Sequence, residues 1–307
     1  MKYFKTIYIM IKRCYNCYRY LRGGYVLVNA CEMLNKAMKE KYAVPHFNIN
    51  NLEWTRFILE ECEELKSPVI LGVSEGAMKY MGGFKTIHDM VVDLIDYLNI
   101  TIPVCLHLDH GSSYEVCKDA IDAGFTSVMI DASKYPLDKN IDITRQVVSY
   151  AKSKDVSVEA EIGRVGGENL DNNNGIVYAD VSESVRLSQN TGIDFLAPAL
   201  GSVHGLYKGV PKLNFDRMEE ISKLTDLPLV LHGGSGIYDE QIKKAISCGI
   251  CKINFNTELQ IAWSNSLREK LKTDESYDPR KVIKMGEDAF KECVRNKCEL
   301  LGSIGRY

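Results

Sequence analysis

The sequence lacks a long apolar run and lacks a strong excess of charge of either sign. No stretch of its 307 residues approaches the ~18 consecutive apolar residues that cross a bilayer. Its 38 Lys and Arg against 41 Asp and Glu give a net charge of −3, too small to attract nucleic acid or an acidic membrane. We therefore expect no nucleic-acid partner and no membrane partner. With 45% hydrophobic and 26% charged residues, the composition is that of a globular protein and excludes collagen-like, coiled-coil and disordered chains.

The chain also lacks a disulfide framework and a low-complexity linker. Its ten cysteines are spread from Cys14 to Cys298, in a chain far longer than a disulfide-stapled small domain. Reduced thiols in a cytoplasmic enzyme are the simpler interpretation. The two C-x-x-C motifs, at 14–17 and 248–251, stand alone, and packing explains the second because it runs into a predicted strand. Without a linker, residues 26–307 are predicted to form one domain.

Residues 1–25 differ from the rest of the chain. They carry six basic side chains, no acidic one, and six of the 17 tyrosines. A secretory signal does not fit, because the apolar run Ile7–Ile11 is short and is followed by Lys12 and Arg13. A basic membrane- or nucleic-acid-binding arm is one alternative. Our hypothesis is that residues 1–25 are encoded by leader sequence upstream of the true start codon. The working protein would then begin near Val26.

From Val26 onward, short apolar runs alternate with longer amphipathic stretches. The runs predict eight strands, at 44–48, 69–74, 104–108, 127–131, 156–162, 195–200, 229–232 and 252–254. The stretches between them predict helices at 52–65, 87–98, 114–123, 141–152, 182–191, 215–224 and 239–247. Further helices are predicted around 259–271 and 282–300. This alternation is typical of α/β proteins with parallel strands.

Eight such units in about 250 residues match a closed (β/α)₈ TIM barrel, here with a C-terminal helical extension. An open doubly wound sheet is the alternative, and the absence of a G-x-G-x-x-G motif after the first predicted strand disfavours it. In a barrel, the carboxyl ends of all strands meet at one mouth, where barrel active sites lie. Every predicted strand ends at or near a polar residue: Asn48, Ser74, Asp109 with His110, Asp131, Glu161, His204, His232 and Asn254.

Three of the six histidines belong to this set, and each is followed by a glycine. His110, His204 and His232 follow predicted strands three, six and seven. Three imidazoles with an open fourth position are typical of catalytic zinc. Each histidine alone is better explained as a polar loop residue, but the trio with its flanking glycines favours a metal site. His107 alternates with Asp109 and is interpreted as buried behind the ligands or in the core. The two remaining histidines, His46 and His88, are interpreted as structural or surface residues.

Glycine, serine and lysine near these histidines indicate a phosphate site. One segment runs from Gly201 to Gly205 and on to Lys208, and another is Gly233–Gly236, which includes Ser235. The eighth strand leads to Asn254, Asn256 and Thr257. Loops after strands seven and eight bind phosphate in many barrels, through backbone N–H groups and a helix N-terminus.

The sequence resembles the class II, metal-dependent fructose-bisphosphate aldolases, and most closely their bacterial class IIB branch. The resemblance rests on PHFNINNLEW (45–54), SPVILGVSEGAMKYMGG (67–83), VCLHLDHGSS (104–113), GFTSVMIDAS (124–133), VSVEAEIGRVGGE (156–168), LAPALGSVHGLYKG (196–209), LVLHGGSGI (229–237), KINFNTELQIA (252–262) and YDPRKVI (277–283). It implies a homodimeric or homotetrameric enzyme of glycolysis and gluconeogenesis. That enzyme would reversibly cleave fructose 1,6-bisphosphate to dihydroxyacetone phosphate and glyceraldehyde 3-phosphate.

The resemblance also implies residue roles. His110, His204 and His232 would bind one zinc ion per subunit, and Asp109 would exchange a proton with the C4 hydroxyl. Glu161 and Asp131 would hold an alternate position of the metal or support its ligands from behind, and a second divalent ion is an additional possibility. Substrate and phosphate contacts would come from Asn48, Ser74, Gly205, Lys208, Gly233, Ser235, Asn254, Asn256 and Thr257, and from Arg280 of a neighbouring subunit. Carbonyl groups of Val203, Gly205 and Gly233 would bind Na⁺ or K⁺.

Some positions depart from the family pattern. The 164–178 loop offers Glu168 as a second proton-transfer carboxylate, and Lys134-Tyr135 replaces a frequent histidine pair. Asn256 favours a fructose substrate, whereas Thr257-Glu258-Leu259 is similar to the tagatose-bisphosphate aldolases, so tagatose 1,6-bisphosphate is the alternative substrate. Two other functions compete with a metal-dependent aldolase. A Schiff-base aldolase would need an amine at the mouth, but Lys208 lies in a loop and Lys252 at a predicted strand start. The second competing function is that of a zinc-binding protein without catalytic turnover.

Overall fold

The computed structural model describes residues 26–165, 177–205, 207 and 209–307. Within them, eight strands form a closed barrel in chain order, so the TIM-barrel prediction is confirmed. Every neighbouring pair is parallel, and the last strand pairs with the first through partners such as His46 and Asn254. The strands are β1 (Val44–Asn48), β2 (Val69–Ser74), β3 (Val104–Gly111), β4 (Ser127–Ile130), β5 (Ser157–Ile162), β6 (Phe195–Pro198), β7 (Leu229–Leu231) and β8 (Ile250–Phe255).

Helices precede, connect and follow these strands. They are α1 (Cys31–Glu40), α2 (Leu52–Glu64), α3 (Glu75–Tyr80), α4 (Phe84–Tyr97), α5 (Tyr114–Ala123), α6 (Leu137–Lys152), α7 (Val181–Thr191), α8 (Phe215–Thr225), α9 (Asp239–Ser247), α10 (Thr257–Lys270), α11 (Pro279–Lys284) and α12 (Glu287–Leu301). Side chains of Asn51, Ser74, Ser113, Asp180, Asn214 and Asp278 cap helix N-termini, as this residue class usually does. No helix of the described chain is long and apolar enough to span a bilayer.

The structure extends some predicted elements and adds two helices. β3 runs three residues further than predicted, and β8 begins two residues earlier. Helices α1 and α3 were not predicted. The single helix predicted at 282–300 is wrong, because α11 and α12 are separated at Met285 and Gly286. Gly286 is packed so tightly that a Cβ there would lie 2.2 Å from Trp263 Cδ1.

Two apolar clusters hold the barrel together. The larger one fills the space between the strands and the surrounding helices. The smaller one lies inside the amino end of the barrel, where Met33, Leu34 and Ala37 of α1 pack with Val44 and Phe195 at the starts of their strands. Helix α1 therefore closes the amino end with apolar side chains. Above this cluster the barrel interior becomes polar, and this polar interior leads to the opposite mouth.

Candidate functional site

Two cavities lie side by side at the carboxyl mouth and share His110 and His204. The first has a volume of about 220 Å³ and is lined by Asn48, Asn50, Ser74, Asp109, His110, His204, Gly205, Gly233, Ser235, Asn254, Asn256 and Thr257. The second, of about 370 Å³, is lined by His110, Ser112, Asp131, Ser133, Lys134, Glu161, Arg164, Val165 and His204. Most side chains predicted from the strand ends therefore line one or the other of these two neighbouring cavities.

The three histidines at the mouth surround one position. The ring centroids of His110 and His232 are 4.5 Å apart, and those of His110 and His204 are 5.0 Å apart. The His204 and His232 centroids are separated by 6.0 Å. One ring nitrogen from each residue lies within 4.8 Å of the others, so all three can bind the same metal ion.

Carboxylates orient two of these rings. His110 Nδ1 lies 3.1 Å from Asp131 Oδ2, and His232 Nε2 lies 2.7 Å from Glu159 Oε1. The remaining nitrogens, Nε2 of His110 and Nδ1 of His232, face each other at 2.8 Å. Two lone pairs repel at that distance, so a proton or a cation must lie between them. Metal-bound histidines commonly donate their second N–H to a carboxylate, so this donor set fits a metal.

A bulge in β3 directs both Asp109 and His110 toward the mouth. Adjacent residues of a regular strand point to opposite faces. Here the β3–β4 register shifts between Leu108 and Gly111, which inserts one extra residue into β3. His110 adopts a φ of 54°, rare for a residue with a side chain. Such strained backbone clusters at functional sites.

Asp109 is held by two amides from neighbouring strands. Asn48 on β1 donates Nδ2–H to Oδ2 at 2.8 Å, and Asn254 on β8 donates to Oδ1 at 3.3 Å. Burial alone would raise the pKa of Asp109, but the positive charges around it, those of His110 and Lys252 among them, outweigh burial and hold the pKa well below its ordinary value. The side chain is therefore an oriented carboxylate, 3.9 Å from His110 Nε2.

Glu161 and Asp131 provide a second set of oxygen atoms beside His110. Glu161 Oε2 lies 3.8 Å from His110 Nδ1. Burial, followed by the negative charge of Asp131, raises the pKa of Glu161 to about 8. The three residues can offer one ligand atom each within 4.8 Å, so they too can hold a cation.

A buried ion pair lies below the mouth. Lys252 Nζ donates to Glu159 Oε2 at 2.7 Å, and both side chains are fully buried. His107 is also fully buried, as predicted, and its Nδ1 lies 2.8 Å from Ser127 Oγ. The amine of Lys252 is thus paired with a carboxylate inside the barrel, which disfavours it as a Schiff-base nucleophile. The prediction that Lys252 begins its strand is wrong, because two residues of β8 precede it.

Sequence reasoning missed the contribution of Glu159 and Lys252. The signal was present as period-2 alternation, since Glu159 alternates with Glu161 and Lys252 with Asn254. The surface alternative for His46 is wrong, because the ring is fully buried inside the barrel. His88 is partly buried on α4, where its Nδ1 lies 2.9 Å from Asp89 Oδ1.

Most of the predicted phosphate residues line the first cavity. Thr257 is the first residue of α10, and Asn256 precedes it without capping the helix through its side chain. Ser235 Oγ accepts a hydrogen bond from the backbone N–H of Glu258 at 3.3 Å. At Gly233, φ is 64° and a Cβ would lie 2.1 Å from the Val203 carbonyl oxygen, so only glycine fits.

The other predicted site residues do not all lie at the cavities. Ser74 ends β2, caps α3 and lines the first cavity. Arg280 lines neither cavity; its side chain is 89% exposed and ion-paired with Asp278 of the same chain. Lys208, Glu168 and the basic residues 1–25 lie outside the described residues.

Comparisons with known proteins agree with this geometry. The family model described as fructose-bisphosphate aldolase class-II matches residues 28–306. The chain is 61% identical over 282 residues to a fructose-bisphosphate aldolase of Geobacillus stearothermophilus, covering 91% of this chain and 98% of that protein. It is 57% identical to one from Staphylococcus aureus, with 91% and 99% covered. The crystal structure of the YdjI aldolase from Escherichia coli K12 superposes with a TM-score of 0.81 at 34% identity, covering 91% of this chain and 99% of that one.

Proposed function

Because this chain belongs to the class II fructose-bisphosphate aldolase family, we propose that it reversibly cleaves fructose 1,6-bisphosphate. The products are dihydroxyacetone phosphate and glyceraldehyde 3-phosphate, and the reaction serves cytoplasmic glycolysis and gluconeogenesis. The observation that carries the proposal is the meeting of three histidines around one position, with the Asp109 carboxylate beside them in the same cavity.

We propose zinc as the metal, one ion per subunit, held by His110, His204 and His232. Three imidazoles and an open fourth position are the donor set of catalytic zinc. When bound, zinc supplies Lewis acidity that stabilises the negative charge left beside the ketone when the C3–C4 bond breaks. His110, Asp131 and Glu161 would hold an alternate or second divalent position. Carbonyl groups of Val203, Gly205 and Gly233 would bind Na⁺ or K⁺.

Asp109 would act as the general base in cleavage and the general acid in condensation. In cleavage its carboxylate accepts the proton of the C4 hydroxyl as that oxygen becomes the aldehyde; in condensation it returns the proton. Asn48 and Asn254 each donate to one carboxylate oxygen and thereby fix the orientation of the base. Glu168 would be the second proton-transfer carboxylate.

The first cavity would bind the phosphate next to the ketone. A helix N-terminus attracts anions through its free backbone N–H groups and its dipole, and α10 begins at this cavity. Gly205, Gly233, Ser235, Asn254, Asn256 and Thr257 line that space, and Lys208 would add a charge. Asn48 and Ser74 would contact the sugar. Arg280 would reach across to the other phosphate of the substrate bound in a neighbouring subunit of a homodimer or homotetramer.

An aldol-cleavage assay with and without chelator tests the proposal. Triose phosphate release would be coupled to NADH oxidation by a dehydrogenase. We expect cleavage by the purified protein, loss of activity after chelation and dialysis, and recovery on adding zinc. Bound zinc without measurable cleavage would favour a binding protein instead. Activity that survives chelation and is trapped by borohydride would favour Schiff-base chemistry.

A further inference from the structure

His46 is a fully buried histidine whose two ring nitrogens have no hydrogen-bond partner among the described residues. It lies on β1 and points into the barrel, below the mouth. Buried polar side chains are nearly always hydrogen-bonded, and each exception calls for a specific reason. No role assigned above uses this ring, so its place in the polar interior needs an explanation.

The fold makes room for this ring at one glycine. Gly72 on β2 has no side chain, and a Cβ there would lie 1.7 Å from His46 Nε2. The ring crosses β2 at this glycine and meets His107 of β3 edge to face, with centroids 5.6 Å apart. His46 therefore cannot turn away from β3 without leaving a void, and its Nε2 stays on the side of Asp109.

His46 Nε2 lies 3.9 Å from Asp109 Oδ2, on the interior side of that carboxylate. The charged and titratable groups near the ring are Asp109 and His107 from β3, Glu159 from β5 and Lys252 from β8. Burial, followed by the positive charge of Lys252, lowers the pKa of His46 well below its ordinary value, so the imidazole is neutral. A neutral ring facing a carboxylate is stable with its proton on Nε2, since a lone pair there would be repelled.

We propose that His46 is a positioning residue, whose Nε2–H orients the Asp109 carboxylate from inside the barrel for proton exchange with substrate. A ring shift of about 1 Å closes the 3.9 Å separation and brings Nε2–H within hydrogen-bond distance of the carboxylate. Asn48 and Asn254 hold the carboxylate near the mouth, and His46 adds a third donor from below. The inference rests on the proposed function, because it assigns Asp109 the proton transfer.

A buried cation shared by His46, His107 and Asp109 is the alternative, because these groups can offer ligand atoms within 4.8 Å of one another. Positioning is favoured because Lys252 already places a positive charge in the same interior layer, where it lowers the pKa of both histidines. A dication there would have three protein ligands and no contact with solvent.

Two variants of similar volume separate positioning from packing. His46→Gln keeps an N–H near the carboxylate, whereas His46→Leu removes it. We expect kcat of His46→Gln to stay within about threefold of the unaltered enzyme, and kcat of His46→Leu to fall about tenfold or more with KM little changed. That loss is the size expected for one hydrogen bond to a charged group. Equal kcat values for the two variants would overturn the proposal.

Nitrogen NMR of the zinc-loaded enzyme tests the same point without turnover, even where His46→Leu fails to fold. The His46 signal, assigned by its loss in His46→Gln, is expected to show a proton on Nε2 and to shift in Asp109→Asn. A proton on Nδ1 alone would contradict the proposal. So would a second metal equivalent per chain that disappears in His46→Gln.

The controls separate this inference from the proposed function. If the unaltered protein cleaves no sugar bisphosphate, the proposed function fails, and with it the role of His46 in catalysis. If the unaltered protein is active and Asp109→Ala is not, full activity of His46→Leu overturns the positioning role alone.

Discussion

Asp109 and His110 are neighbours in the sequence, yet both face the mouth of the barrel, with Asp109 Oδ1 3.9 Å from His110 Nε2. The bulge in β3 and the left-handed backbone of His110 make this possible. The proposed base and the proposed metal ligand are thus carried by one rigid strand, and their separation depends little on loop conformation. Rigid elements hold catalytic geometry more closely than loops do.

Removing the carboxylate should abolish turnover without removing the metal. We predict that Asp109→Ala retains stoichiometric zinc and loses at least about 100-fold in kcat, because general acid–base catalysis contributes on that scale. Zinc is measured by elemental analysis and kcat by the coupled assay. Asp138→Ala on α6, whose side chain is 77% exposed, is the control and should behave normally. A near-normal rate for Asp109→Ala would remove the assignment.

Removing a proposed histidine ligand should abolish zinc binding as well as turnover. His232→Ala takes away a buried ring that is oriented by Glu159, so we expect loss of zinc and of activity together. His88→Ala, outside both cavities at the mouth, should keep its metal. Tight zinc binding by His232→Ala, measured by competition with a fluorescent chelator, would refute the role of this residue.

The buried ion pair should matter more when one partner is lost than when both are replaced. Lys252→Met leaves the buried carboxylate of Glu159 with histidine partners but without its lysine cation, which should lower the free energy of unfolding by about 3 kcal/mol. The double variant Lys252→Met/Glu159→Gln should recover part of that loss. Urea denaturation of the zinc-free proteins measures both. If the double variant is as unstable as the sum of the single ones, the two residues do not act as a pair.

The sugar epimer can be tested directly at Asn256, which lines the first cavity. Its buried Oδ1 has no hydrogen-bond partner within the described part of the chain, so it is free to accept one from substrate. We predict a higher kcat/KM for fructose than for tagatose 1,6-bisphosphate, and a smaller ratio in Asn256→Ala. A preference for tagatose in the unaltered enzyme would reverse the substrate assignment within the same chemistry.

Arg280 should act in the active site of another subunit. Its side chain is 89% exposed and lines neither cavity of its own chain. We predict that Arg280→Ala raises KM while leaving the zinc content unchanged. Mixed oligomers of Arg280→Ala and Asp109→Ala should regain activity, because some sites then contain both residues. If mixed oligomers, verified by light scattering, recover no cleavage activity, Arg280 does not contribute to the active site of a neighbouring subunit.

The sequence predicted the barrel because each strand is a short apolar run bounded by polar residues. It predicted the mouth because parallel strands end at the same edge, which groups residues as distant as Asn48 and Asn254. Period-2 alternation indicates that Glu159 and Lys252 point into the barrel, but the register of their strands, which brings the two side chains together, was not predictable, so the ion pair was missed. The orientation of His46 was missed because inward and outward positions look alike in a strand of five residues. The conformation of His110 depends on the bulge, which has no local sequence signature.

The apolar cluster by which α1 closes the amino end of the barrel limits how water enters the interior. Because apolar side chains close the amino end in the described part of the chain, the mouth is the open route for water to the buried layer of Lys252, Glu159 and the interior histidines. A sugar phosphate bound in the mouth therefore separates that layer from bulk water. The protons of Lys252 and the interior histidines can then exchange with the ligand or with one another.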